Sequence, residues 1–86
     1  MVSKKVMIVN ETGLHARPAA EFVKLCMKYP EKIVIKSEGK EINTKSILSI
    51  LAAGIRKGMV IEVEVTGENE ETVCDEVKNF IENLIE

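Results

Sequence analysis

The chain of 86 residues contains little cysteine and histidine, and each shortage excludes a class of site. It has two cysteines, Cys26 and Cys74, and a single histidine, His15. Two cysteines without a secretion signal give no disulfide framework, and their separation fits no zinc-ligand pattern. We therefore expect no disulfide, no metal and no other cofactor, and we interpret both cysteines as small buried apolar residues.

The sequence also lacks a long hydrophobic run. The longest, ILSILAAGI at 47–55, is far too short to cross a bilayer. The N-terminal stretch MVSKKVMIVN is too short and too interrupted for a secretion signal. Abundant Val, Ile, Leu and Ala, few glycines and prolines, and no low-complexity tract disfavour a disordered chain. We expect one small domain over residues 1–86, cytoplasmic, not inserted in a membrane, and monomeric by default.

Apolar periodicity predicts strands and helices in the order β-α-β-β-α-β-α. The predicted strands cover 3–9, 32–43 as a hairpin that turns at 37–40, and 59–67, and the predicted helices cover 16–28, 45–54 and 70–84. Strands mixed with helices in so short a chain predict an α+β fold, with one sheet and helices on one face.

Side-chain patterns assign faces and ends to these elements. In the predicted strand 59–67, Ile61, Val63 and Val65 share the apolar face. The apolar stripe of the first helix is Ala16, Ala20, Val23 and Met27, with Ala19, Phe22 and Cys26 beside it, and that of the last helix is Val73, Val77, Ile81 and Leu84, with Phe80 alongside. We expect Ser46 and Asn69 to be N-caps, and Gly54 to end the second helix.

Aromatic residues are scarce, and charge is unevenly distributed. A base-stacking platform needs aromatic residues on strands. The aromatic residues Phe22, Tyr29 and Phe80 all lie outside the predicted strands, so direct nucleic-acid binding is disfavoured. Residues 1–58 carry a net charge of +6 and residues 59–86 a net charge of −8. The basic part can steer an acidic partner or an anion, although the acidic part is equally well a solvated helix face.

The stretch ETGLHARPAA at 11–20 places His15 where a loop becomes a helix. If the helix begins at Ala16, His15 is its N-cap, and Pro18 lies in the first turn, where proline is tolerated. The amides of Ala16 and Arg17 then form an anion site at the positive helix end. The planar guanidinium of Arg17 suits phosphate oxygens, and Gly13 lets the preceding backbone adopt unusual dihedrals.

This setting favours a neutral imidazole, because the helix end and the arginine both disfavour the protonated ring. A neutral ring nitrogen is a nucleophile, and a phosphoryl group that it accepted would lie against the same amides and Arg17. From residue chemistry alone the alternative stays open that His15 is an ordinary surface histidine.

Ser46 and the apolar helix behind it form a second candidate region. A phosphate on Ser46 would be favoured at a helix N-terminus, although an ordinary capping serine explains the residue equally well. A short helix buries only one face, so part of ILSILAA at 47–53 is expected to be an exposed docking patch unless the helix is wholly buried.

GLHARPAA at 13–20, followed by KSIL at 45–48 and a glycine at 54, resembles HPr over essentially the whole chain. HPr is the histidine-containing phosphocarrier of the bacterial phosphoenolpyruvate-dependent sugar phosphotransferase system. The resemblance implies an open-faced β-sandwich, with a four-stranded antiparallel sheet and three helices on one face. It implies a carrier rather than an enzyme.

The resemblance also implies roles for particular residues. His15 would accept a phosphoryl group at Nδ1 from enzyme I and pass it to the IIA component of a sugar permease, with Arg17 and the Ala16 and Arg17 amides holding its oxygens. Ser46 matches a regulatory serine that HPr kinase/phosphorylase modifies, which makes the protein a corepressor for a catabolite-control transcription factor. The implied docking surface comprises Leu14, Ala20, Ile47, Leu48 and Leu51, with Lys24 and Lys45 at its rim.

The chain departs from the family at two positions of the docking surface. Many members carry basic residues near positions 27 and 49, where this chain has Met27 and Ser49, so docking is expected to rely more on apolar contact.

Two alternative functions stay open. A regulatory relative that acts through protein binding is one alternative, although such relatives lack the histidine. A carrier of a nitrogen-related phosphorelay is the other.

Overall fold

The computed structural model describes residues 1–84, so the last two residues of the predicted domain lie outside it. The strands are β1 (Val2–Met7), β2 (Lys32–Ser37), β3 (Lys40–Asn43) and β4 (Val60–Thr66), and the helices are α1 (Ala16–Cys26), α2 (Ile47–Ala52) and α3 (Glu70–Glu82). The predicted order is confirmed, and most elements are one or two residues shorter at their ends. Within residues 1–84, no helix has both the length and the apolar character needed to cross a bilayer.

The four strands form one antiparallel sheet in the order β1-β4-β2-β3. The central strand β4 is paired on both sides, and its residues Ile61, Val63 and Val65 are buried, as their alternation predicts. Val6 on β1 and Ile35 on β2 stand opposite Ile61 and Val63, so they share this face. The helices cover that face and leave the other open, which confirms the predicted open-faced β-sandwich.

Charged residues in register across the strands form a polar row on the open face, beside the exposed apolar pair Met7 and Val60. Lys5, Glu62, Lys36 and Glu41 stand opposite one another in a row that crosses all four strands. Opposite charges at directly paired positions stabilise a sheet, whereas like charges would repel. This row therefore favours the observed register of the strands.

A lysine protects the exposed edge of the sheet. Lys4 lies on the inner face of edge strand β1, where its ammonium group binds the carboxylate of Asp75 and lies 3.6 Å from that of Glu71. The hydrogen bond to Asp75 is the main cause of the raised pKa of Lys4, and the negative charges of Asp75 and Glu71 add to it. An inward-pointing charge on an edge strand disfavours pairing with a second chain, because that pairing would disturb the ion pair.

The helices pack through a core that differs in part from the sequence prediction. The buried residues of α1 are Ala19, Phe22, Val23 and Cys26. Ala16, Ala20 and Met27 are exposed, so the predicted stripe was wrong for these three residues, which face away from the sheet. The rings of Phe22 and Phe80 join α1 to α3 with their centroids 5.9 Å apart. Both cysteines are buried, as predicted, and burial raises the pKa of Cys26 to about 11.

The helix ends confirm two of the three predicted caps. Ser46 Oγ accepts a hydrogen bond from the Ser49 amide at 3.3 Å, and Gly54 follows α2 with φ +63°. Asn69 precedes α3, but its side chain makes no capping hydrogen bond. The buried carboxylate of Glu31 instead accepts from the Asn69 amide at 3.2 Å, which no local pattern reveals because Glu31 is 38 residues away.

Tyr29 should titrate at an unusually high pH. Burial, together with a hydrogen bond to the Glu76 carboxylate, raises the pKa of Tyr29 to about 12. The unfolded side chain titrates near 10, so this contribution to stability is complete below pH 10 and is lost as the pH rises toward 12. Tyr29 is the only tyrosine, and there is no tryptophan, so absorbance at 295 nm reports it directly.

In that titration the Glu76→Gln variant should have a midpoint closer to 10 than the parent has. Circular dichroism must show that the protein stays folded over the range measured. A midpoint near 10 in the folded parent would contradict the assignment.

Candidate functional site

His15 occupies the predicted position at the start of α1. It is the N-cap residue, with extended backbone at φ −113° and ψ 158°, and its carbonyl oxygen accepts a hydrogen bond from the Ala19 amide at 3.3 Å. Its side chain is exposed and makes no capping hydrogen bond. The backbone alone therefore begins the helix, and the imidazole is not used in capping it.

The loop before His15 is fixed by contacts at Gly13. The Gly13 amide donates to the Asn10 carbonyl at 3.2 Å, and Asn10 Nδ2 donates to the Gly13 carbonyl at 2.8 Å. The next amide, that of Leu14, donates to the Ile55 carbonyl at 3.2 Å. Gly13 has φ +63°, which confirms its predicted unusual backbone, and a Cβ there would lie 2.3 Å from the Ile55 oxygen. Only glycine allows this close approach, which sets where His15 stands.

Ala16, the first residue of the helix, has φ +31°. A residue with a Cβ rarely adopts a positive φ, and such strain costs about 1–3 kcal/mol. The surrounding contacts must offset that cost. Strain of this kind is concentrated at functional sites, and no sequence pattern predicts it for an alanine.

His15 and Arg17 line a common shallow depression at this end of α1. The depression has a volume of about 380 Å³, and its lining residues are Thr12, His15, Ala16, Arg17, Pro18, Glu21 and Leu84. Arg17 is exposed and forms no ion pair with any residue in the described part of the chain. First-turn amides have no acceptor inside a helix. The depression thus combines a ring nitrogen with donors for an anion.

Most of the predicted docking residues lie on the surface, around α1 and α2. Ala20, Lys24, Ile47 and Leu51 are exposed, and Leu48 is exposed over 79% of its surface, so the apolar face of α2 is not wholly buried. Lys45 is exposed, and its ammonium group donates to the Tyr29 carbonyl at 3.1 Å. Helix α2 packs against α1. These side chains provide an apolar surface with basic residues at its rim.

Leu14 corrects the prediction. It was expected on the docking surface, but it is only 2% exposed and belongs to the hydrophobic core. Its amide is fixed to Ile55, which turns the side chain inward beneath the loop and not toward a partner. By packing into the core, Leu14 anchors the backbone next to His15.

Sequence reasoning placed Met27 inconsistently and missed Glu21. The helical spacing put Met27 in the apolar stripe of α1, whereas the family resemblance put position 27 on the docking face, and Met27 is 64% exposed. Glu21 drew no attention, although it lies four residues after Arg17, and that spacing puts both side chains on one face of α1. The helical spacing was the available signal for Glu21.

Helices on one face of a four-stranded antiparallel sheet, with an exposed histidine at the N-cap position of the first helix, define a class of small α+β domain. Comparison with known proteins identifies the family. Residues 2–83 match the family model described as PTS HPr component phosphorylation site. The chain belongs to the HPr family, the phosphocarrier proteins of the phosphotransferase system.

Individual relatives match over nearly their whole length. The chain is 35% identical over 86 residues to the phosphocarrier protein HPr of Borreliella burgdorferi, covering 100% of both chains. It is 37% identical over 82 residues to the HPr-like protein Crh of Halalkalibacterium halodurans, covering 95% of this chain and 98% of that one. It resembles a crystal structure of HPr from Thermoanaerobacter tengcongensis with a TM-score of 0.90 and 36% identity, over 95% of this chain and 92% of that chain.

Proposed function

We propose that this protein carries a phosphoryl group on His15, accepting it from phosphorylated enzyme I and donating it to IIA components of sugar permeases. The observation that carries the proposal is the shared depression in which the exposed His15 ring lies with Arg17 at the start of α1. The family supplies the general role of phosphocarrier. The assignment to these residues rests on their positions and chemistry.

In the proposed reaction His15 Nδ1 attacks phosphorus with its lone pair. A P–N bond forms to His15 while the P–N bond to the enzyme I histidine breaks, and that histidine keeps the bonding electrons. The phosphoryl oxygens then accept hydrogen bonds from the amides of Ala16 and Arg17 and from the Arg17 guanidinium. Donation to a IIA component reverses these steps on a new acceptor. An exposed, shallow site stabilises the intermediate only moderately, which suits a group that must leave again.

Docking in this proposal uses the apolar face of α2 beside the site. Ile47, Leu48 and Leu51 supply exposed apolar area, Met27 adds to it, and Lys24 supplies positive charge. Apolar contact at the centre with charges at the rim is the usual composition of a protein interface. The rim charges would mainly affect the rate of association with an acidic partner.

The carrier function is tested by a chase. Protein phosphorylated with enzyme I and phosphoenolpyruvate is separated from both and mixed with a purified IIA domain. We expect the phosphoryl group to move to the IIA domain, as seen in the intact masses of both proteins. Failure to take up a phosphoryl group from an active enzyme I would instead favour a regulatory relative that acts through binding, an alternative prompted by the similarity to Crh. Comparing IIA domains of sugar and nitrogen branches decides between those two relays.

Ser46 is proposed as a regulatory phosphorylation site for HPr kinase/phosphorylase, with binding to a catabolite-control transcription factor as the consequence. Ser46 lies at the start of α2, directly beside the exposed Ile47 and Leu48. A phosphate there would bring negative charge to the docking surface and weaken its attraction for acidic enzyme I.

The Ser46→Asp variant should accept phosphoryl groups from enzyme I about tenfold more slowly at low salt, and less so at high salt. Aspartate is a good N-cap, so α2 should stay folded. Thr66→Asp, on the open face of the sheet opposite Lys32, is the control for added negative charge and should transfer like the parent. An unchanged rate for Ser46→Asp would count against a regulatory role through charge.

A further inference from the structure

We propose that Glu21 keeps the phosphoryl group on His15 easily transferable, by placing a negative charge beside it. This inference rests on the proposed function. Glu21 lines the same depression as His15 and Arg17, and it is the only acidic side chain among the described residues that line it. A carboxylate that takes no part in the transfer is unexpected in a site that binds a phosphoryl anion.

The helix fixes how Glu21 faces the site. Arg17 and Glu21 are four residues apart in α1, so they are neighbours on one face of the helix. Both side chains are exposed at the mouth of the depression. The two side chains make no ion pair with each other in this structure, where His15 is unmodified, so Glu21 acts on the site through the charge it places there.

Phosphorylation of His15 adds negative charge to this depression. A phosphoryl group is multiply negative near neutral pH, so it repels the carboxylate of Glu21. Repulsion between the phosphoryl group and Glu21 raises the free energy of the phosphorylated state relative to the unmodified state. Arg17 and the helix amides lower that same free energy. Glu21 and Arg17 thus act in opposite directions on one quantity, the tendency of His15 to give up its phosphoryl group.

An exchange equilibrium measures this quantity without interference from docking rates. The 15N-labelled parent and an equal amount of Glu21→Gln are mixed with catalytic enzyme I and limiting phosphoenolpyruvate. Enzyme I moves phosphoryl groups between the two proteins, breaking the P–N bond on one and forming it on the other. Intact masses at equilibrium then give the phosphorylated fraction of each protein. Glutamine has nearly the same shape as glutamate and favours helices, so folding should be preserved.

We expect the equilibrium constant to favour phosphorylation of Glu21→Gln by about threefold, the size of one charge–charge interaction at a protein surface. Glu21→Lys should raise it further, and 1 M salt should bring both values toward one. The matched control is Glu68→Gln, which removes the same charge beside Pro30, beyond the opposite end of α1, and should give a value near one.

Each failure has a separate meaning. If the parent is phosphorylated but the phosphoryl groups are shared equally with Glu21→Gln, or if Glu68→Gln gives the same shift, the role of Glu21 is wrong and the carrier function stands. If the parent takes up no phosphoryl group, or if His15→Ala is still phosphorylated, the proposed function itself is wrong.

Discussion

Replacing Gly13 with alanine should destabilise the protein more than any other glycine-to-alanine change tested and should also displace His15. The new methyl group would lie 2.3 Å from the Ile55 carbonyl oxygen and 2.8 Å from the Arg56 Cα, both backbone atoms. The site also has φ +63°, which costs alanine about 1–2 kcal/mol. With the clash added, we expect a loss of about 2–5 kcal/mol, measured by denaturant unfolding.

Gly54→Ala is the matched control for this change. Gly54 has the same φ of +63°, but a Cβ there meets nothing within 4 Å. It should therefore show the backbone cost alone, about 1–2 kcal/mol. Equal losses at the two positions would mean that the contact between Gly13 and Ile55 does not hold the loop.

Gly13→Ala should also impair phosphorylation under conditions in which it is still folded. The Leu14 amide hydrogen-bonds to the same Ile55 carbonyl, so the clash must move the segment that leads to His15. A misplacement of about 1 Å can cost roughly 100-fold in rate. We expect a fall of at least about tenfold in the rate of transfer from enzyme I, while Gly54→Ala transfers faster than Gly13→Ala does.

The second large effect is expected at Arg17. Arg17→Ala should slow phosphoryl transfer from enzyme I by about 100-fold, because removal of a preorganised donor to a developing anion typically costs this much. Arg17→Lys keeps the charge but loses the planar pair of donors, so its rate should lie between those of alanine and the parent. Stopped reactions analysed by intact mass give the rates.

Stability should hardly change in the Arg17 variants, since the side chain is exposed and lies at the mouth of the site. Lys32→Ala removes a positive charge at the start of β2, near the opposite end of α1, and is the control for net charge. A rate for Arg17→Ala within about twofold of that control would show that Arg17 does not hold the phosphoryl group.

Local patterns predicted much of this fold because the strands and helices are strongly patterned. The alternation of Ile61, Val63 and Val65 on β4 fixed one buried face, and the pairing of β4 on both sides made that face the centre of the core. Ser46 and Gly54 were recognisable as helix ends because their roles depend on the local backbone. The strand order was not predicted, since it depends on which distant segments pair.

The site was predicted less completely, and the errors have physical causes. The position of His15 at the start of α1 followed from neighbouring residues. Leu14 was misplaced because its burial depends on Ile55, 41 residues away, and the positive φ of Ala16 has no compositional sign. The apolar stripe predicted for α1 included Met27 because apolar character alone does not show whether a residue faces the sheet or a partner.

The central claim is that His15 carries the phosphoryl group, and intact mass tests it most directly. The parent and His15→Ala are each incubated with enzyme I and phosphoenolpyruvate, and their masses are measured before and after mild acid. We expect one phosphoryl increment on the parent, its loss in acid because a P–N bond is acid-labile, and no increment on His15→Ala. No increment on the parent with an active enzyme I, or the same increment on His15→Ala, would contradict the claim.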